Sequence, residues 1–143
     1  MNHLNNHALW QVATKALVFR GDKLLVLKHE DNKVDFPGGR VDESERNVSW
    51  HDALQREIDE ELGEDFEITL GETAFVSKRG YVNSQGVWQH IAAIYFVARY
   101  ERGEVKLSEE HTGYEWINPS ALLTDAYTFV SDDERDQVRQ YIK

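Results

Sequence analysis

The chain contains no cysteine. That excludes disulfides and thiolate metal sites, and leaves oxygen and imidazole as the side-chain ligands for any metal. No run approaches the roughly 18 apolar residues of a membrane-spanning helix, and the opening MNHLNNHALW lacks the basic flank and apolar stretch of a signal peptide. A cytoplasmic protein with no membrane partner is therefore expected. No repeat, low-complexity tract or linker interrupts the 143 residues, so one domain over 1–143 is expected. A domain of this size buries about 68–70% of its unfolded surface and needs no covalent staple. Basic residues are also in short supply: 16 Lys and Arg against 26 Asp and Glu give a formal charge of −10. Such a chain repels a long polyanion such as duplex DNA, so no nucleic-acid partner is expected, whereas a small phosphorylated ligand is compatible if divalent cations intervene.

What the chain does contain is a legible alternation of elements. Two β-branched and apolar runs flank Gly21-Asp22, which predicts a hairpin over about 9–20 and 23–29. A polar connection, DNKVD, leads into FPGGRV, where a proline fixes φ and two glycines permit backbone closed to other residues, so a rigid turn is expected. Ser49 is placed to cap a helix, with Asp52 completing a capping-box pattern, and Gly63 to end it. Two long strands separated by NSQG follow, the second nearly continuous in apolar residues and therefore expected to be central. A polar loop, RGEVKLSEEHTGY, precedes a short strand EWI, a helix in NPSALLTD and a terminal helix in DDERDQVRQYI. Hairpins interrupting the alternation predict an α/β fold with a mixed sheet.

The 49–63 helix carries the densest acidic patterning. At about 100° per residue, Glu57, Glu60, Glu61 and Glu64 share one face, while Leu54, Ile58 and Leu62 form the adjoining strip that should pack on the sheet. Like charges three and four apart each cost a few tenths of a kcal/mol. A bound Mg²⁺ would offset that cost, since it takes carboxylates, waters and substrate phosphates together; Arg56, Lys78 or Arg79 are alternative offsets. A bare Glu-rich helix is ordinarily a solvated face. Here it is joined to a Pro-Gly-Gly turn, a cap and the string Arg56-Glu57-Ile58-x-Glu60-Glu61-x-Gly63.

That conjunction resembles the box of the Nudix hydrolases, GxxxxxE, seven free positions, then REUxEExGU with U apolar. Gly39 to Glu45 match the first half, and Arg56, Glu57, Ile58, Glu60, Glu61 and Gly63 the second. Two departures stand out. Ten residues rather than seven separate Glu45 from Arg56, and Ser49, seven positions before Arg56, places the three extra residues in the loop before the helix. In the helix register the first Glu position then holds Val48, so either Glu45 or Glu43 must reach across the longer loop to anchor Arg56, or that contact is missing. Glu64 also stands where the box wants an apolar residue, a role Phe66 can fill.

The resemblance implies an α/β/α sandwich with a central mixed sheet, and hydrolysis of a nucleoside diphosphate linked to another moiety with Mg²⁺, or Mn²⁺. It implies metal ligands at Glu57, Glu60 and Glu61, with the Gly38 carbonyl and Glu110, or its neighbour Glu109, completing the shell. Either Glu57 or Glu60 would act as catalytic base. Gly39, Glu45, Arg56 and Gly63 would shape the motif. Lys28 and Arg40 are candidates for phosphate contact, and Phe75, Tyr81, Trp88 and His90 for base stacking. Only Pro37 and Pro119 are present, so the proline that many ADP-ribose-directed relatives carry past the box is missing, as are the extended motifs of the NADH and coenzyme A subclasses. Tyr81 lies seventeen residues after Glu64, where dinucleoside polyphosphate hydrolases tend to have a tyrosine. A nucleoside triphosphate pyrophosphohydrolase is the first expectation, a dinucleoside polyphosphate hydrolase or a non-catalytic nucleotide-binding module the alternatives, in a monomer or homodimer.

Overall fold

The computed structural model describes residues 6–31 and 33–143. The opening residues 1–5 and Asn32 of the polar connection lie outside the described residues. Strands β1 (Trp10–Arg20) and β2 (Lys23–Lys28) form the expected hairpin, closed at Phe19–Leu24 and Arg20–Lys23. Its turn uses Gly21 at φ 59°, a left-handed conformation that glycine adopts without penalty. Beyond the turn the two strands take different partners. β2 pairs with β3 (Val34–Asp35) and β7 (Gly113–Ile117). β1 pairs with β4 (Gly38–Arg40) and runs parallel to β6 (Trp88–Arg102), which in turn pairs antiparallel with β5 (Glu67–Val82). The sheet is therefore mixed, in the order β3-β2-β1-β6-β5, with β6 flanked on both sides as its apolar run predicted.

Successive side chains of a strand point to opposite faces, and both faces of this sheet are covered. Leu25 and Leu27 join Leu54, Ile58 and Leu62 of helix α1 (Trp50–Leu62). Leu24 and Val26 face the other way, into a cluster that takes in Val138 and Ile142 of helix α2 (Asp132–Ile142). The result is the expected α/β/α sandwich. The three apolar residues of α1 are fully buried, and burying side chains of this size stabilises the fold by about 1.5–3 kcal/mol each. That strip fixes which face of α1 meets the sheet, and so where its carboxylates point.

Local differences from expectation have physical reasons. Ser49 Oγ accepts from Asp52 N at 3.1 Å, but the full reciprocal capping box is formed instead by Asp42 and Glu45, around a 3-10 turn at Glu43–Glu45 inside the enlarged loop. FPGGRV is not only a turn. Its glycines enter β4, where Gly38 and Gly39 lie opposite Lys15 and Thr14 of β1. NPSALLTD forms a five-residue 3-10 segment, Pro119–Leu123, rather than an α-helix. No helix among the described residues is long and apolar enough to cross a membrane.

Candidate active site

The site is built where α1 runs past β4. At Gly38, φ is 133° and an added Cβ would collide with the Thr14 carbonyl, so only glycine lets this backbone lie against β1. The Gly38 N–H then donates to Glu61 Oε1 at 2.6 Å. At Gly39 an added Cβ would come within 2.6 Å of the Glu57 carboxylate. The missing side chains of the two glycines thus make the space in which two carboxylates, one helical turn apart, converge.

Both acids are pulled out of water. Glu61 is 3% exposed, and burial pushes its carboxyl up to about 7 against the opposing pull of Lys15 and the Gly38 N–H. Burial likewise raises Glu57, with Arg56 working against it and Glu60 adding to it. A desolvated carboxylate is costly unless it is protonated or a cation joins it.

Arg56 organises the outer edge. Its Nε donates to Glu45 Oε2 at 2.7 Å and its Nη2 to Glu45 Oε1 at 2.6 Å, a two-pronged contact. Glu45 Oε1 also accepts from Asp42 N at 2.9 Å. Glu45, not Glu43, therefore reaches Arg56 across the enlarged loop. Nη2 lies 3.1 Å from Glu57 Oε1, and Nη1 donates to Glu60 at 3.2 Å.

Beneath the turn lies a buried polar cluster that the sequence pattern did not single out. Lys15 Nζ donates to Asp35 Oδ1 at 3.2 Å, to Phe36 O at 3.1 Å and to Gly38 O at 3.3 Å. Asp35 Oδ2 meets His29 Nε2 at 3.1 Å and His111 Nε2 at 3.3 Å. Burial alone would raise the Asp35 carboxyl, but Lys15, His111 and His29 together hold it well below the ordinary carboxylate range. The cluster braces the turn from below. A lysine in the middle of the apolar run ATKALV was the one local sign of it.

These groups open into a cleft of about 880 Å³ lined by Glu57, Glu61, Glu110, Gly38, Gly39 and Arg40, with Trp10, Trp50 and Arg79 also in its wall. Arg79 Nε is buried without a hydrogen-bond partner among the described residues. The remaining candidates fall outside the described lining. Glu60 is exposed and held by Arg56. Lys28 is drawn to Glu115 at 2.9 Å. Tyr81 accepts from Arg40 Nη1 at 2.8 Å and so touches the site through that arginine. Trp88 lies over Gly80 near the hairpin tip, His90 stacks on Trp10 at 4.7 Å, and Phe75 stacks on Tyr95 at 4.4 Å in the core. Glu109 is exposed in the same loop as Glu110, and Gly63 ends α1 at φ 89°. Phe66 is buried in the α1 cluster, which accounts for the apolar position that Glu64 does not fill.

The donor set suits a hard divalent cation. Carboxylate oxygens from Glu57 and Glu61 are desolvated and placed over glycines, and a ligand atom of the exposed Glu110 comes within 4.8 Å of Glu61. The Gly38 carbonyl fits less well, because one of its lone pairs already accepts from the Lys15 ammonium.

Comparison with known proteins follows the same lines. A family model, NUDIX domain, matches residues 9–139. Among solved structures, the chain is similar to a MutT protein from Methanosarcina mazei Go1, with 24% identity, TM-score 0.75 and 94% of each chain covered. It is similar to a MutT NUDIX hydrolase from Burkholderia pseudomallei, with 24% identity, TM-score 0.64, and 92% of this chain and 98% of that one covered. A C. elegans Ap4A hydrolase binary complex shares 20% identity at TM-score 0.65 over 92% of this chain and 94% of that one. No curated protein matches the sequence. With the family match running through both sheet and helices, the chain belongs to the Nudix hydrolase family, whose members act on nucleoside diphosphate derivatives.

Proposed function

We propose that the protein hydrolyses a nucleoside triphosphate to the nucleoside monophosphate and pyrophosphate, using Mg²⁺ or Mn²⁺. The observation that carries the reading is the convergence of the Glu57 and Glu61 carboxylates on Gly38 and Gly39, facing an open cleft. Bound divalent ions would supply charge neutralisation on the phosphates and a lowered water pKa there.

The chain's own residues supply the rest. Glu57, Glu61 and Glu110 would hold the ions. Glu57 accepts the proton of the attacking water as its oxygen bonds to phosphorus and the anhydride P–O bond breaks, the electron pair leaving with pyrophosphate. It lines the cleft beside Gly39, so its carboxylate faces the space a substrate would occupy. Glu60 is the poorer base because Arg56 holds it outside the described cleft lining. Arg56, clamped by Glu45, fixes the position of Glu57. Arg40 and Arg79 line the cleft without an acidic partner within ion-pair distance among the described residues, and would contact substrate phosphates. A dinucleoside polyphosphate is the second reading, favoured by the Tyr81 hydroxyl on Arg40.

A product screen over nucleoside triphosphates, dinucleoside polyphosphates and nucleotide sugars, with Mg²⁺ and with Mn²⁺, tests this. Triphosphates are expected to turn over fastest, giving monophosphate and pyrophosphate. Glu57→Gln is expected to lose roughly 10²–10⁴-fold in turnover with an unchanged melting temperature. Unaltered turnover in that variant sinks the assignment.

A further inference from the structure

Resting on the hydrolase reading above, we propose that His111 is itself a metal ligand, so that Glu61, Glu110 and His111 form a mixed nitrogen and oxygen centre that prefers Mn²⁺ and later first-row ions over Mg²⁺. The ligand atoms of these three residues lie within 4.8 Å of one another.

The ring of His111 is held from one side only. Asp35, paired with the Lys15 ammonium at 3.2 Å, acts as an acceptor, so the His111 nitrogen facing it at 3.3 Å, Nε2, is the donor. The other nitrogen, Nδ1, is buried and has no hydrogen-bond partner among the described residues. Its near neighbour is Glu61 Oε2 at 3.5 Å. A buried ring nitrogen without a hydrogen-bond partner and a buried carboxylate oxygen thus face each other at the wall of the cleft. A cation between them would take both as ligands.

The spacing agrees. Donors about 2.0–2.2 Å from a shared ion stand roughly 3.0–3.5 Å apart. The surroundings agree as well: a ligating histidine characteristically donates its second N–H to a carboxylate, which fixes the tautomer and strengthens the ligand, and Asp35 is in that position. Glu110 is brought into reach because its loop is pinned at Ser108 N to Glu61 O, 2.9 Å, and at Thr112 N to Lys28 O, 2.9 Å. An imidazole donor changes which ion is preferred. Mg²⁺ seeks oxygen, whereas affinity for nitrogen-containing sites climbs along the first row from Mn²⁺.

The test uses the full chain and Mn²⁺ alone, without nucleotide. Electron spin echo modulation of the bound Mn²⁺ is expected to show the ¹⁴N coupling of a directly bound imidazole. His111→Gln, whose side-chain amide can keep the hydrogen bond to Asp35, is expected to lose that coupling, and His29→Gln to retain it. Equilibrium dialysis against Mn²⁺ and Mg²⁺ separately is expected to show the preference for Mn²⁺ falling roughly tenfold or more in His111→Gln. Bound Mn²⁺ without nitrogen coupling overturns the proposal, leaving His111 as an ion-pair bridge between Asp35 and Glu61, while the hydrolase reading survives. Absence of divalent binding, together with absence of product in the nucleotide screen, sinks both. If His111→Gln does not fold, the echo spectrum of the unaltered chain still decides.

Discussion

Gly39 sets how closely the helix approaches the turn. Its backbone lies outside the left-handed region, so alanine can adopt it, yet the new Cβ would meet the Glu57 carboxylate at 2.6 Å. The carboxylate moves only by loosening its 3.1 Å contact with Arg56, so Gly39→Ala is expected to cost about 1 kcal/mol of stability. Displacing a reacting group by about 1 Å costs on the order of 10²-fold in rate. A melting curve beside a turnover assay would show the two effects separating. Residues of this kind were legible in the sequence, because glycine spacing and the Arg-Glu string are local. Lys15, Asp35 and His111 were not. They meet across separations of 20 and 76 residues, and each read alone resembles an ordinary strand or loop residue.

Helix α1 was the most legible element, since its apolar strip, Ser49 cap and Gly63 stop all agree. α2 was also placed by its pattern at Asp132–Ile142, but what it buries was not visible. Its Glu134 is fully buried and bound to the Tyr95 hydroxyl, with Oε1 lacking a partner among the described residues. Burial pushes the Glu134 carboxyl up to about 7, with the Tyr95 hydrogen bond opposing. Between its ordinary value and about 7, the folded chain binds this proton more tightly than the unfolded chain does. The stability that comes from it is therefore fully present below about pH 4.5 and is lost as pH rises through about 7, a change on the order of 3 kcal/mol. Urea unfolding at pH 5 and pH 8.5 should show that fall together with the one from Glu61, also pushed up to about 7, and Glu134→Gln should remove only its own share. The short strand β4 escaped the sequence reading for the opposite reason: its pairing with β1 is tertiary, and two glycines carry no strand signal.

At the scale of the molecule, charge is unevenly shared. The cleft wall includes Lys15, Arg40, Arg46, Arg56 and Arg79 among its acids, while the chain as a whole carries −10. An anionic substrate thus meets a less repulsive mouth than the net charge suggests. The sheet is closed by long-range pairing, with Trp10 opposite His90 and Phe19 opposite Arg99. Topologies dominated by such contacts fold in milliseconds to seconds. Stopped-flow refolding should fall in that range, and a microsecond phase carrying the full amplitude would contradict it. The same pairing has a consequence during synthesis. β1, β4 and α1, which carry the carboxylate turn, are synthesised before β6, and the partners in β1 and β6 are 80 residues apart. At 5–20 residues per second that is about 4–16 s of an unsatisfied strand edge on the nascent chain. The exposure falls on the strand that pairs with Gly38 and Gly39, so a chaperone able to shield one apolar edge would raise the yield of folded protein more than its rate of folding.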